Sequence, residues 1–176
     1  GDNLDVALIF DQPIGADIDY PAGAFYPLAG TNAEVESTAL TGLLRYKLPS
    51  NFSVYGGIRL QSVEGRVNIS TVPPVGPFAI DYGLQTNRDY QAGYVIGVAW
   101  EKPEIAARVA LTYYSDIDHD FDTTELMGAT TVAQGTTSVT TPSMLALDFQ
   151  TGVAKDTLVF GQIRRTYWSD FTVTPD

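Results

Sequence analysis

The sequence predicts an all-β protein, an antiparallel up-and-down meander that forms part of a transmembrane β-barrel. Three observations support this fold class. Apolar and polar residues alternate with a period of two over several segments of 12 to 19 residues, whereas strands of soluble proteins usually have about 5–6 residues. The connections between these segments are short and long in turn. One face of most segments is nearly free of charge, as a face in contact with lipid has to be.

Seven strands are expected. They lie roughly at Leu4–Gln12, Glu34–Leu48, Phe52–Ser70, Tyr90–Trp100, Ile105–Asp122, Ser143–Ala154 and Leu158–Val173. Tight turns rich in Pro, Asn, Asp and Ser are expected at Pro49–Asn51, Glu101–Glu104 and Lys155–Thr157. Long polar connections are expected at Pro13–Ala33, Thr71–Asp89 and Thr123–Pro142. Short turns at one end and long loops at the other are typical of outer-membrane barrels.

The faces of the fourth and fifth strands differ in chemistry. One face of the fourth strand carries large apolar residues, namely Tyr94, Ile96, Val98 and Trp100. The fifth strand alternates between an apolar face and a face with Arg108, Ala110, Thr112 and Tyr114. The apolar faces are expected to meet lipid and the polar faces a lumen. Aromatic residues near both strand ends suggest two interfacial girdles, although Tyr is also simply a good strand residue.

The stretch SDIDHDFD, residues 115–122, places an aspartate at every second position. An EF-hand calcium loop needs Gly at its sixth position and Glu at its twelfth, and counting from Asp116 these positions hold Phe121 and Met127. The fifth strand is therefore expected to continue in phase, with the aspartates on the lumen face at the pore mouth and His119 facing outwards. No metal site is expected; a weak divalent-cation site is the alternative, on Asp116, Asp118, Asp120 and Asp122.

Composition limits the other possibilities. The 176 residues carry a net charge of −11 and no cysteine, which argues against a nucleic-acid partner and excludes disulfides and cysteine metal sites. No apolar run is long enough for a membrane-spanning helix. The sequence contains no nucleotide-binding loop, nucleophile elbow or metalloprotease motif. The protein is therefore not expected to be an enzyme or to need a cofactor.

Four stretches resemble, in order and local wording, the FadL-type outer-membrane transporters. They are AEVESTALTGLLRYKLPSNFSVYGGIRLQSVEGRVNIS, YQAGYVIGVAWEKPEIAARVALTYYSDIDHDF, TTPSMLALDFQTGVAKD and YWSDF. The resemblance implies passive uptake of hydrophobic molecules, such as long-chain fatty acids or aromatic hydrocarbons, across the Gram-negative outer membrane. It implies a monomeric full-length barrel in contact with membrane lipid and lipopolysaccharide, and leaves the particular substrate open.

Seven strands cannot close a bacterial barrel, because such barrels have an even number of strands. Residues 1–176 are therefore expected to be a single barrel segment without a separate domain, about seven of some fourteen strands. The amino-terminal hatch of the family and the remaining strands are expected to lie outside this sequence. Whether the missing strands belong to the same chain or to another chain is left open.

Cations on the lumen face are the candidates for binding a substrate carboxylate, since such a ligand needs a cation at one end and an apolar slot for its tail. They are Arg59, Arg66, Arg108 and Arg164, and Arg66 comes first because it matches a basic position in the R-x-K segment of the family. The alternative is that these arginines pair with lumen aspartates. Adjacent Arg164 and Arg165 predict a bulge or an interfacial position there.

Apolar residues in the long connections are candidates for a hydrophobic entry groove, with loop packing as the alternative. They are Phe78, Ile80, Leu84, Leu126 and Met127. Two other classes of protein also remain open. One is a non-transporting barrel, adhesin-like or porin-like, whose loops are the working part. The other is a soluble, secreted, calcium-binding β-sandwich.

Overall fold

The computed structural model describes residues 3–23, 28–70, 81–170 and 173–175. These residues form one antiparallel sheet of 12 strands. The strands are β1 Leu4–Asp11, β2 Gly15–Asp19, β3 Asn32–Lys47, β4 Phe52–Ser70, β5 Asp81–Thr86, β6 Asp89–Lys102, β7 Ala107–Tyr114, β8 Ile117–Met127, β9 Thr130–Thr141, β10 Met144–Ala154, β11 Thr157–Thr166 and β12 Val173–Pro175. Two short 3₁₀ segments lie at Pro103–Ile105 and Trp168–Asp170. None of the helical segments in the described part of the chain has the length and hydropathy of a membrane-spanning helix.

Seven neighbouring positions in the sheet, called here the wall, correspond to the seven strands of the expected meander. In order across the sheet these are β1 with β2, then β3, β4, β6, β7, β10 and β11. Their bounds agree with the seven expected strands to within a few residues, except that the fifth and seventh end earlier. The wall is not closed, since within the described residues β1 and β11 each pair with one wall strand only.

The tight turns lie at one end of the wall, called here the short-turn end. Asn51, Ala106 and Asp156 adopt left-handed backbone conformations there, with φ of 61°, 50° and 60°. Asn and Asp tolerate this conformation well, so the turn residues in the sequence identify these connections correctly. The opposite end of the wall is called the loop end.

Strands β5, β8 and β9 form a second part of the sheet, beyond the loop end of the wall. The upper part of β4 pairs with β5, β5 pairs with β8, and β8 pairs with β9. The expectation of long loops at 13–33, 71–89 and 123–142 is therefore wrong for 15–19, which forms β2, for 81–86 and for most of 123–141. Alternating β-branched residues in TTVAQGTTSVTT favour strand, and Gly128, at φ 60°, allows the tight turn between β8 and β9.

The fifth expected strand breaks after Tyr114 and changes phase. Ala110 and Thr112 are buried on the lumen side of β7, whereas in β8 the buried residues are odd-numbered, beginning with Ile117 and His119. A shift of one residue moves every following side chain to the other face of a strand. The expected outward position of His119 is therefore wrong, since its side chain is fully buried. The aspartates likewise lie on the exposed face of β8 and not on the lumen face.

The outer face of the wall is apolar and exposed, as expected. Ile58 and Leu44 keep 63% and 57% of their surface, and Tyr94, Ile96 and Val98 point the same way on β6. The opposite, lumen face has small buried residues, among them Ala39, Val95, Ala99, Ala110 and Ala146. An exposed apolar face of this extent needs lipid or protein to cover it.

Candidate functional site

The lumen face carries an open cavity of about 350 Å³ near the middle of the wall. Odd-numbered residues of β1, β3, β4 and β6 line this lower cavity, together with even-numbered residues of β7 and β10. Its centre is apolar and consists of Ala7, Ile9, Leu43, Val95 and Ala110. Its charged groups are Asp5, Asp11, Arg45, Arg59, Arg108 and Asp148. A mostly apolar cavity with a few polar groups is the usual form of a small-molecule site.

Charged residues at the short-turn end of the cavity are paired with one another. Arg45 donates to Ser53 Oγ at 2.9 Å and also to Glu101. Lys47 Nζ lies 2.9 Å from Asp5 Oδ1. Each cation here therefore has an acidic partner, which favours a structural role for this end of the lumen.

Arg108 belongs to the same group. Its Nε lies 3.2 Å from Glu101 Oε1, yet that nitrogen is buried without an aligned hydrogen bond. The ion pair still holds Arg108 beside Glu101, because charge attraction tolerates poor alignment. The sequence-based candidate Arg108 thus faces the lumen as expected, but it shares Glu101 with Arg45.

Arg59 is the least satisfied of the lumen cations in the described part of the wall. The residue is 8% exposed, and its Nη2 lies 3.6 Å from Asp11 Oδ2, too far for a direct hydrogen bond. Its Nε is buried and has no hydrogen-bond partner. The guanidinium carbon lies 5.5 Å from the ring centre of Tyr114. A buried guanidinium with unused donors is suited to bind an anionic group, to which it can donate hydrogen bonds.

A second, upper cavity of about 370 Å³ lies on the loop-end side of Arg59. It shares Asp11, Arg59 and Tyr114 with the lower cavity. Its apolar lining is formed by Ile14, Ile117, Met144 and Trp168, with several other residues between them. Arg164 also lines it and donates to Gln162 Oε1 at 3.0 Å. Two of the expected cations, Arg59 and Arg164, therefore border one cavity.

Strand β11 keeps strict alternation through its two adjacent arginines. Arg164 points towards the lumen, and Arg165 lies over the Tyr167 ring with its guanidinium carbon 5.0 Å from the ring centre. The register shift involving β10 lies between Gly152 and Ala154 and not at the arginines. The bulge expected at Arg164 and Arg165 is therefore absent from β11. The other expectation, an interfacial position for Arg165, stays a prediction.

Tyr55 crosses a neighbouring strand on the lumen face. Its hydroxyl lies 2.6 Å from Thr112 Oγ1 on β7, although β6 separates β7 from β4. The ring passes over Gly97 of β6, where an added Cβ would lie 2.3 Å from the ring. Glycine at position 97 is therefore required for the tyrosine to lie against the wall, because any side chain would push the ring into the lumen.

Arg66 lies on the outer face of β4 and not on the lumen face. The β3–β4 pairing runs without a register shift, with Glu34 opposite Arg66 and Glu36 opposite Glu64. These even-numbered residues share the side of exposed Ile58. The expected lumen position of Arg66 is therefore wrong. The sequence contains no residue that would change the phase of this strand, so alternation from Arg59 already excluded it.

The outer face at the loop end also contains an exposed ion pair between Glu64 and Arg88. The Arg88 guanidinium, by hydrogen bonding, holds the pKa of Glu64 below its usual value, and Glu64 in turn raises the pKa of Arg88. On β5, partial burial raises the pKa of Tyr82, and the nearby Glu125 adds to this effect. These residues lie beyond the part of β4 that pairs with β6.

The predicted groove residues that the structure describes lie on two paired strands. Leu84 lies on β5, and Leu126 and Met127 lie at the end of β8, where β5 and β8 pair. Their paired positions favour packing within the sheet over a groove. Phe78 and Ile80 lie outside the described residues.

Three of the four aspartates of SDIDHDFD, namely Asp118, Asp120 and Asp122, have hydrogen-bonding side chains beside them. Thr140 donates to Asp118 and Ser138 donates to Asp120, each at 2.6 Å. Asn87 Nδ2 lies 3.4 Å from Asp122. The described residues contain no group of three or more metal-ligating side chains suitable for an ion.

Several lumen residues were not identified from the sequence, namely Asp5, Asp11, Arg45, Tyr55, Glu101 and Asp148. Alternation within each strand places them correctly on the lumen face, so that signal was present. Their partners, however, come from other strands, as in the Asp11–Arg59 pair. Strand order and register were needed to bring them together.

Comparisons with known proteins agree with this architecture. The family model described as outer membrane protein transport protein (OMPP1/FadL/TodX) matches residues 1–173. A crystal structure of a Pseudomonas aeruginosa FadL homologue superposes with a TM-score of 0.75 at 16% identity, covering 99% of this chain and 48% of that chain. The Ralstonia pickettii toluene transporter TbuX gives 0.61 at 13% identity, covering 94% and 51%. No curated protein matches the chain.

The chain thus spans about half the length of the solved structures that it matches. The expected meander, corresponding to about half of such a barrel, is confirmed. The family consists of outer-membrane transport proteins and not of enzymes, so the resemblance and the location inferred from it are confirmed. The chain belongs to the outer membrane transport protein family OMPP1/FadL/TodX.

Proposed function

We propose that the protein carries hydrophobic molecules across the outer membrane by passive passage through the lumen of its barrel. Long-chain fatty acids and aromatic hydrocarbons are the proposed substrate classes. The observation that supports this most is the position of Arg59, a buried cation with unused donors between two cavities. An apolar body can occupy the cavities, and a carboxylate can bind the cation.

Arg59 and Arg164 are the proposed ligand-binding cations, since both line the upper cavity. Arg108 is a weaker candidate because it already contacts Glu101. The family model and the toluene transporter among the matched structures support an apolar substrate. A hydrocarbon without a charged group would use the apolar lining alone.

Closure of the wall is part of the proposal. In lipid, the free edges of β1 and β11 would leave backbone groups without hydrogen-bond partners, which costs several kcal/mol per group. We propose that further strands pair with these edges and close the barrel, which is a monomer where those strands belong to the same chain. Lipid and lipopolysaccharide would then cover the apolar outer face.

Uptake into lipid vesicles tests this function. Vesicles containing the closed barrel should take up labelled oleate and labelled toluene faster than empty vesicles. Arg59→Ala should weaken oleate binding about tenfold, the effect of losing one charge-assisted contact, while toluene binding stays unchanged. Arg165→Ala is the matched control because it removes the same charge from the outer face. Uptake equal to that of empty vesicles for both compounds would refute transport, and ion conduction without uptake would favour a porin-like barrel.

A further inference from the structure

Part of the β8–β9 hairpin stands beside the wall without a backbone ladder to it. Residues 117–121 of β8 pair with residues 137–141 of β9. Among the described residues the other edge of 117–121 pairs with no strand, because β5 reaches only Thr123–Met127, whereas 137–139 pair with β12. We call residues 117–121 and 137–141 the stem. Backbone hydrogen bonds Ser115 N–Tyr94 O and Asn87 N–Asp122 O flank 117–121, and between them side chains make the contacts of the stem with β6.

The stem forms one side of the upper cavity. Ile117 and Thr141 line that cavity, together with the flanking Ser115 and Pro142. Arg59 lines the same cavity from the wall. Any displacement of the stem would therefore change access to Arg59 from the loop end.

The first contact between stem and wall is a polar pair of a fully buried His119 and a partly buried Asp89. His119 Nδ1 lies 3.0 Å from Asp89 Oδ2 on β6, and His119 is 0% exposed. Its Nε2 lies 3.5 Å from Gln61 Nε2 on β4. Phe121 covers the imidazole, with ring centres 5.8 Å apart. The only histidine in the sequence thus connects the stem to two wall strands.

The second contact is an apolar one two residues away. Ile117 lies on Gly93 of β6, where an added Cβ would be 2.7 Å from Ile117 Cγ1. Two residues before Ile117, the Ser115 N–H donates to the Tyr94 carbonyl, and the Tyr94 N–H donates to Ser115 Oγ, each at 3.0 Å. Glycine at position 93 leaves the space that the isoleucine occupies.

A buried hydrogen-bonded pair fixes one arrangement while adding little net stability, because desolvation offsets most of the attraction. We propose that Asp89–His119 and Gly93–Ile117 form a clamp that holds the stem on the wall and controls access to the upper cavity. Asp89 and His119 act as positioning residues for the stem. This proposal rests on the proposed function, in which the substrate passes through the lumen.

Thiol labelling tests the clamp without relying on transport. The chain has no cysteine, so Thr41→Cys places a single thiol of this chain at a buried position in the lower cavity. A bulky, membrane-impermeant maleimide is added on the loop-end side of the closed barrel in vesicles. His119→Ala and Asp89→Ala should each raise the labelling rate about tenfold, the change expected for one buried hydrogen bond. Asp89→Asn should retain the slow rate, since its amide oxygen still accepts from the imidazole.

Glycine variants provide a matched comparison. Gly93→Ala should also speed labelling because its methyl group displaces Ile117. Gly42→Ala should not, since nothing lies within 4 Å of an added Cβ at position 42. Equal labelling rates in His119→Ala, Asp89→Ala, Gly93→Ala and the parent would overturn the clamp.

Ile117→Ala covers the case in which these variants do not fold, because it removes the apolar contact with Gly93 without adding a group that clashes. It should also speed labelling of Thr41→Cys; an unchanged rate would contradict the clamp. If the parent shows no uptake at all, the proposed transport fails, whereas the labelling rates still decide the clamp.

Discussion

The guanidinium of Arg59 on β4 and the carboxylate of Asp11 on β1 approach each other over β3, with 3.6 Å between Nη2 and Oδ2. The distance allows charge attraction but is too long for a direct hydrogen bond. In the proposed function, Asp11 would compete with a ligand anion for Arg59 without occupying its hydrogen bonds.

Neutralising Asp11 should tighten the binding of anionic ligands. We expect Asp11→Asn to raise oleate affinity up to about tenfold and to leave toluene affinity unchanged, because only the carboxylate gains from the freed cation. Equilibrium binding to the purified closed barrel measures both affinities. Asp156→Asn in a short turn is the control for net charge, since Asn also tolerates the left-handed backbone there. Unchanged oleate affinity would show that Asp11 does not compete.

Gly97→Ala should force Tyr55 away from the wall. The new methyl group would meet the tyrosine ring, so we expect a loss of about 1–3 kcal/mol in the free energy of unfolding, as for other overpacked sites. Urea unfolding of the barrel measures this change. Gly42→Ala, with open space around it, should have a much smaller effect. A variant as stable as the parent would mean that Tyr55 moves without cost.

Arg66→Ala should not weaken ligand binding in the lumen. Its side chain is on the outer face opposite Glu34, so oleate affinity should stay within about twofold of the parent, as for other exposed charges. Arg59→Ala in the same assay provides the positive comparison. A large loss of affinity in Arg66→Ala would indicate a ligand site outside the lumen.

The Glu64–Arg88 pair should stabilise the loop end only above acidic pH. The pKa of Glu64 is lowered in the folded protein by the Arg88 hydrogen bond. Its contribution is therefore complete above the unfolded pKa, near 4.3, and is lost as pH falls through the lower folded pKa. Melting temperatures of Glu64→Gln and the parent should differ at pH 7 and converge once the pH falls below the lowered folded pKa of Glu64. Glu104→Gln, in a short turn, controls for the charge change, and a difference that persists at low pH would contradict this assignment.

The sequence by itself determined the repeating features of this protein. Period-two alternation identified the wall strands and the two faces of β6, because successive side chains of a strand always point to opposite sides. Turn residues identified the tight turns, and four ordered sequence stretches identified the family. Strict alternation from Arg59 also places Arg66 on the outer face of β4, in conflict with the motif match that favoured the lumen.

Only the tertiary structure decided the features that depend on two or more strands. Because the phase changes after Tyr114, His119 is buried and the aspartates are exposed. Alternation alone does not predict where a strand breaks. The pairing of β5 with β8 shows that 81–86 and 123–127, which were expected to be loops, belong to the sheet. Arg59 meets Asp11 and Tyr114 because three distant segments face one lumen, and contacts of this kind follow from strand order and register, which period-two patterns do not specify.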